Sequence, residues 1–149
     1  MKTLVIYDTN YGNTKKVAKV IAANLGKDVE TISLADLKKK DLKGIKVLIA
    51  GCPVIGWNPS EKMSRFLASL TNNELQGVKA AAFDTRMRLF FFTDAAKKIS
   101  KELTRAGAEI IAKSQAFYVK KAEGPLRDGE KENAAIWASE IRSKSKGKK

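Results

Sequence analysis

Apolar residues along this chain occur in short continuous runs, and the runs indicate buried strands. Three are strongly apolar, at 3–7 (TLVIY), 45–50 (IKVLIA) and 78–84 (VKAAAFD), and a fourth is broken, at 108–112 and 116–119. Continuous apolar runs are typical of parallel strands that are covered on both faces. A weaker candidate lies within residues 27–33. The pattern therefore predicts five strands.

The stretches between the strands carry apolar residues three to four positions apart, which is the spacing of one face of a helix. They predict helices at about 13–25, 59–70, 93–106 and 129–142. Ser33 is the expected cap of a further short helix, and Thr93 of the helix near 93. For the helix near 59, we expect Asn58 as the N-cap, Pro59 as the first helical residue and Glu61 in a capping box.

Strands that alternate with helices indicate an α/β fold, in which a parallel sheet carries helices on both faces. Of the two common doubly wound arrangements, five strands joined by right-handed crossovers fit the order 2-1-3-4-5. Ligands of such sheets bind at the carboxyl ends of the first and third strands. Residues 9–14 and 52–58 should therefore face one another across a crevice, with residues 85–92 beside them.

The polar stretch between the first strand and the first helix is the strongest candidate for binding chemistry. Residues 9–14 read TNYGNT and supply hydroxyl and amide side chains with one glycine. The first N–H groups of a helix have no intrahelical acceptors, and the helix dipole adds about 0.3–2 kcal/mol for a nearby anion. Such a nest suits a phosphate without any cationic side chain. The alternative is an ordinary capped turn between strand and helix.

This TNYGNT stretch resembles the phosphate loop of the flavodoxin family, (Ser/Thr)-x-Thr-Gly-x-Thr. Tyr11 departs from the pattern, because it stands where the family usually has the middle threonine. The resemblance extends over nearly the whole chain, and the EGPL segment at 123–126 is similar to one subgroup of flavodoxin-like proteins. It implies a doubly wound, three-layer flavodoxin-like fold that binds FMN and passes electrons between redox proteins.

The resemblance also implies roles for the other two segments. In residues 52–58, Trp57 would cover one face of the flavin and Gly56 would turn a carbonyl toward it, although a core role for Trp57 is the alternative. Residues 85–92 lack the usual second stacking aromatic, so Phe90 or a neighbouring phenylalanine could cover the ring or meet a partner. Arg86 and Arg88 would approach the ring or phosphate, or remain solvated.

The predicted FMN-binding residues come from these three segments. They are Thr9, Asn10, Tyr11, Gly12, Asn13, Thr14, Pro53, Val54, Ile55, Gly56, Trp57, Asn58, Thr85, Arg86, Met87 and Phe90. We predict no catalytic residues and no metal ligands, because the chain has no histidine and a single cysteine, Cys52. The same composition excludes an internal disulfide and argues against a zinc site or a histidine-dependent triad.

Length and charge narrow the expectations about organisation and partners. The 149 residues suit one domain, over 1–143, followed by a basic flexible tail at 144–149. No secretory signal is evident and no apolar run approaches the about 18 residues of a membrane helix, so we expect a soluble cytoplasmic protein. The 29 basic and 16 acidic residues give a net charge of +13. We therefore expect acidic redox proteins as partners rather than nucleic acid, although a solvated lysine-rich surface also explains the charge.

The function that the resemblance implies is electron transfer by a carrier rather than by a stand-alone oxidoreductase. Two alternatives stay open. One is a small FMN-dependent reductase of quinones or flavins, and the other is a flavin-free basic adaptor of the same fold. A nucleoside-triphosphate site is not supported, because Trp57-Asn58 follows Gly51 and Gly56 where a phosphate-binding lysine and hydroxyl would be required.

Overall fold

A computed structural model describes residues 2–55, 58–88 and 94–146. Within them are four α-helices and seven strands. The elements are β1 (Thr3–Tyr7), α1 (Asn13–Ala23), β2 (Val29–Ser33), β3 (Val47–Ile55), β4 (Asn58–Pro59), α2 (Glu61–Ala68), β5 (Lys79–Met87), α3 (Ala95–Arg105), β6 (Glu109–Ile110), β7 (Gln115–Val119) and α4 (Glu130–Ser145). A 3₁₀ helix at Lys39–Leu42 precedes β3.

The main strands form a parallel sheet in the order β2-β1-β3-β5, and both β6 and β7 pair with β5. Ala80 lies opposite Ile110 of β6, and Phe83 lies opposite Gln115 of β7. Because β6 and β7 pair with successive parts of β5, they are two halves of one fifth strand. The predicted order 2-1-3-4-5 and the break in the fifth strand are confirmed.

Helices cover both faces of the sheet, which confirms the three layers. Val5 and Ile49 of the sheet share one buried cluster with the apolar residues of α1 and α4, and Leu4 and Leu48 share the other with those of α2 and α3. This alternation along each strand is what a central strand requires when both of its faces are buried. Packing on both faces therefore fixes the sheet between the two helix layers.

A glycine in β3 lets an aromatic side chain pack against the strand near its carboxyl end. A Cβ atom on Gly51 would lie 2.2 Å from the ring of Phe83 on the adjacent strand. That ring meets those of Phe117 and Trp137 edge to face, with centroids 6.0 Å away in each case. Such contacts contribute about 0.5–1.5 kcal/mol each beyond burial. They anchor the carboxyl half of β5, from which part of the candidate site projects.

Several predicted helix ends are wrong. Asn58 and Pro59 form β4, which pairs antiparallel with β3, so the chain is still extended there and α2 begins only after Ser60. The Ser60 hydroxyl accepts the cap hydrogen bond from the Met63 N–H. Ser33 does not cap a helix, because its hydroxyl accepts from the Ala35 N–H in a turn.

The ends of the last two helices also differ from expectation. The carboxylate of Asp94 accepts from the Lys97 N–H and caps α3, whereas Thr93 lies outside the described residues. The last helix extends to Ser145, whose carbonyl accepts a hydrogen bond of 3.5 Å from the Lys79 ammonium. Helical structure therefore continues two residues into the segment that was assigned to the tail.

Candidate functional site

The carboxyl ends of β1, β3 and β5 meet around one cavity of about 120 Å³. The three predicted segments all contribute to its lining, together with the last residue of β7 and Ala122 beyond it. The lining residues are Thr9, Asn10, Tyr11, Asn13, Thr14, Pro53, Val54, Ile55, Thr85, Arg86, Met87, Val119 and Ala122. The structure thus brings together most of the residues that the sequence singled out.

Five predicted site residues are not among the residues that line this cavity. Gly12 lies between lining residues in the first segment. Asn58 lies instead in a larger cavity of about 480 Å³ between α2 and α3, where its side-chain carbonyl accepts from the Lys98 ammonium at 2.7 Å. Gly56, Trp57 and Phe90 lie outside the described residues, so the predicted stacking partners are not located.

The first segment, residues 9–14, leads into the start of α1, which no side chain caps. Gly12 takes the N-cap position with φ 93°, a left-handed conformation that favours glycine, and no side chain caps α1. The Gly12 N–H donates to the Thr9 hydroxyl oxygen at 2.9 Å. Because that oxygen is an acceptor here, the Thr9 proton remains available to donate. The segment therefore offers hydroxyl and N–H donors at the positive end of a helix dipole.

A hydrogen bond between side chains ties the first segment to β5. The hydroxyl oxygens of Thr14 and Thr85 are 2.8 Å apart, and both residues are buried. Both residues were predicted site residues, but their contact was not predicted. The separation of 71 positions in the chain leaves no local sequence signal for such a pair.

The segment after β7 forms a further wall that the sequence analysis did not place at the site. The side-chain amide of Asn13 donates to the Glu123 carbonyl at 3.1 Å. Gly124 has φ 109°, and a Cβ atom there would lie 2.6 Å from the Asn13 side-chain oxygen. Close approach therefore requires glycine at this position. The EGPL motif at 123–126 is the sequence signal for this wall.

The second and third segments begin as strand extensions rather than as loops. β3 continues to Ile55 and β5 to Met87, with Cys52 opposite Asp84 and Pro53 opposite Thr85. Parallel pairing between β3 and β5 keeps both extensions in a strand conformation. The apolar runs predict earlier strand ends because this pairing is a tertiary contact. The cavity walls from these two strands are consequently part of the sheet.

Arg86 belongs to a cluster of charges beside the cavity. Its guanidinium makes two hydrogen bonds to the carboxylate of Asp84, at 2.9 and 2.6 Å, and lies 3.4 Å from Asp94. The Asp84 side chain is fully buried, and it also accepts from the Ala96 N–H at 2.9 Å. Arg86 is therefore not a solvated residue, and its charge is balanced by carboxylates.

Burial and ion pairing shift the pKa of Asp84 in opposite directions, and the same holds for the pKa of Arg86. Burial raises the pKa of Asp84, while the hydrogen bonds and charge of Arg86 and the N–H of Ala96 limit the rise. Burial lowers the pKa of Arg86, but hydrogen bonding and charge from Asp84, with the charge of Asp94, outweigh it and raise that pKa. Arg88 is placed differently, because its guanidinium carbon lies 4.9 Å from the ring centroid of Tyr118.

Three apolar side chains at the site remain exposed to solvent. Tyr11, Ile55 and Met87 each line the cavity and each has more than a third of its surface accessible. Exposed large apolar side chains that gather at one place mark a surface for a ligand or a partner. We call these three residues the apolar rim.

Other chemistry is limited within the described residues. No group of three histidine, cysteine or acidic side chains there is arranged to hold a metal ion. Burial raises the pKa of the Cys52 thiol to about 12, so it stays protonated and unreactive. In that same part of the chain, no helix combines the length and apolarity needed to cross a membrane.

Known proteins are similar to this chain over nearly its whole length. The family model described as flavodoxin matches residues 5–137. A flavodoxin of Maridesulfovibrio salexigens is 29% identical over 151 residues, covering 96% of this chain and 98% of that protein. One of Clostridium saccharobutylicum is 27% identical and covers 98% of each. The structure of an archaeal flavodoxin has a TM-score of 0.81 at 24% identity, covering 99% of this chain and 100% of that one, which is a likeness of fold.

Proposed function

The chain belongs to the flavodoxin family, and on that premise we propose which of its residues bind FMN and what kind of partner it meets. As a family member, the protein binds FMN and transfers electrons between redox proteins. Bound FMN takes up and releases the electrons. The observation that carries the assignment of the site is the first segment, which is an uncapped helix start inside a cavity shared with β3 and β5.

The phosphate of FMN is proposed to lie against residues 9–14. The described residues that line the cavity include no carboxylate, which would repel a phosphate dianion. The N–H groups at the start of α1 and the hydroxyls of Thr9 and Thr14 supply donors of the kind a phosphate needs. The departure at Tyr11 removes one family hydroxyl from this set, and its side chain joins the apolar rim instead.

The flavin ring is proposed to lie at the mouth of the cavity. The cavity of about 120 Å³ is smaller than the about 300–1,000 Å³ typical of ligand pockets, so it suits the phosphate and part of the sugar chain. The apolar rim then supplies surface for the ring, and Pro53, Val54 and Arg86 also line the cavity. Gly56, Trp57 and Phe90 remain proposed contacts of the ring.

Absorbance spectroscopy tests this function against its two alternatives. Protein purified without added flavin, or incubated with FMN and desalted, should carry one FMN per chain. Failure to retain FMN would favour the flavin-free adaptor. Rapid oxidation of NAD(P)H by the FMN-loaded protein alone, with a quinone as acceptor, would favour the reductase over the carrier.

The redox partners are proposed to be acidic proteins that dock over the apolar rim. The net charge of +13 supports this, because it attracts an anionic surface and accelerates its encounter. Electron-transfer rates to such a partner should fall steeply as salt is raised from about 0.01 to 0.15 M, over which the screening length shrinks from about 30 to 8 Å. A flat salt profile would contradict the proposal. We also propose a cytoplasmic location, consistent with the buried, unpaired thiol of Cys52.

A further inference from the structure

Two hydroxyl groups from different parts of the chain meet inside the candidate site. The hydroxyl oxygens of Thr14 and Thr85 are 2.8 Å apart, and the residues are only 1% and 5% exposed. Thr14 lies in the first turn of α1, where the phosphate is proposed to bind. Thr85 projects from β5, which is fixed by pairing with Pro53 on one side and Phe117 on the other. The contact therefore joins the first turn of α1 to the sheet.

The direction of this hydrogen bond decides what Thr14 offers to an anion. A hydroxyl has one proton to donate and two positions at which it accepts. If Thr14 donates to Thr85, the Thr14 oxygen presents only lone pairs to the phosphate, which repels them. If Thr85 donates to Thr14, the Thr14 proton is left for a phosphate oxygen. A bound phosphate thus favours the second arrangement.

Thr9 in the same segment has the corresponding arrangement. Its hydroxyl oxygen accepts from the Gly12 N–H at 2.9 Å, which keeps its proton free. For both Thr9 and Thr14, another group of the protein would then donate to the hydroxyl oxygen. Each hydroxyl proton would therefore be left for the phosphate. Hydrogen bonds in such chains strengthen one another, because a hydroxyl that accepts a bond becomes a better donor.

We propose that Thr85 is a positioning residue for the phosphate of FMN. Its hydroxyl donates to Thr14 and so directs the Thr14 proton toward the phosphate, without Thr85 itself touching that group. The inference rests on the proposed function, because it requires the phosphate to lie at residues 9–14. It adds a residue outside the phosphate loop to the recognition of phosphate.

Titration of the full-length, FMN-free protein with FMN and with riboflavin tests the proposal. Riboflavin lacks the phosphate, so it reports on every other part of the site. Thr85→Val keeps the shape and removes the hydroxyl, and it should raise the Kd for FMN about three- to tenfold while that for riboflavin changes less than about twofold. Thr85→Ser should bind FMN as the unmodified protein does. Thr3→Val, a buried threonine at the opposite end of β1, is the matched control and should change neither Kd.

A double-mutant cycle separates action through Thr14 from direct contact. In the Thr14→Val background, Thr85→Val should weaken FMN by less than about twofold further, because the hydroxyl it acts through is already gone. Full additivity of the two losses would overturn the proposal in favour of direct contact. Equal loss of FMN and riboflavin affinity would overturn it in favour of a purely structural bond.

Two controls accompany these titrations. Circular dichroism checks that each variant folds, and Thr85→Ala replaces Thr85→Val if the valine variant does not. An alanine variant with unchanged FMN affinity would overturn the proposal. An unmodified protein that binds FMN no better than riboflavin would contradict the proposed function itself, which distinguishes that failure from a failure of the role of Thr85.

Discussion

Replacing Arg86 with methionine tests the charge cluster beside the cavity. The Arg86 side chain is 9% exposed and that of Asp84 is 0% exposed, with 2.6 Å between the closest nitrogen and oxygen. Loss of the guanidinium leaves the Asp84 carboxylate buried with the Ala96 N–H as its remaining described donor. Breaking one side of a buried pair costs about 3–5 kcal/mol, which is a large part of the about 5–15 kcal/mol that stabilises a typical domain.

A second ion pair of equal length is the matched control. Arg65 and Glu61 also approach to 2.6 Å, but their side chains are 75% and 79% exposed. Because water already solvates both charges, Arg65→Met should lower the free energy of unfolding by less than about 1 kcal/mol. Urea denaturation of the FMN-free proteins at pH 7, followed by circular dichroism, measures both variants. A loss below about 1 kcal/mol for Arg86→Met would refute the argument from burial.

The pH dependence of this loss has a definite sign. Burial raises the pKa of Asp84 and Arg86 opposes that rise, so removal of Arg86 should raise the pKa further. Native Asp84 then holds a proton at pH values where the unfolded chain has released it, and stability falls as pH rises through the native pKa. The loss in Arg86→Met should therefore shrink on acidification toward about pH 4, the ordinary range of an aspartate. A loss that grows on acidification would contradict this account.

Two further substitutions probe the walls of the site. Gly124→Ala should lower FMN affinity, because its Cβ would displace Asn13, whereas Gly44→Ala, which also has positive φ but open space around it, should reduce stability without changing the Kd for FMN. Isothermal calorimetry with each ligand-free variant measures the difference, and equal effects on FMN affinity would refute the role of the Asn13 contact. Trp57→Ala should weaken FMN by about 1 kcal/mol and restore flavin fluorescence, as expected when a stacked ring is lost. Unchanged fluorescence quenching would show that Trp57 does not stack on the flavin.

The sheet and its layers could be predicted because the buried strands have continuous apolar runs and the helices have a clear apolar face. The strand order followed from their number and alternation with helices. Helix starts were less predictable, since Ser60 and Asn58 are both good N-caps and the choice depends on whether Pro59 pairs with β3. That pairing is a tertiary contact which local sequence does not encode.

The candidate site was also predictable only in part. Residues 9–14 were predictable because the donors and the glycine lie together in the chain, next to a helix start. The Thr14–Thr85 bond, the Asn13–Glu123 bond and the pairing of Arg86 with Asp84 depend on the folded arrangement of separate elements or on burial. From sequence alone, Arg86 could approach the flavin or remain solvated, and its burial beside two carboxylates excludes only the solvated alternative.

Calorimetric titration of the FMN-free protein with FMN and with riboflavin tests the central claim, that residues 9–14 bind the phosphate of FMN. The account predicts one FMN per chain with submicromolar affinity and riboflavin binding at least about tenfold weaker, a difference of about 1.4 kcal/mol from the phosphate. Equal affinities for the two flavins, or no binding of either at micromolar protein, would contradict it.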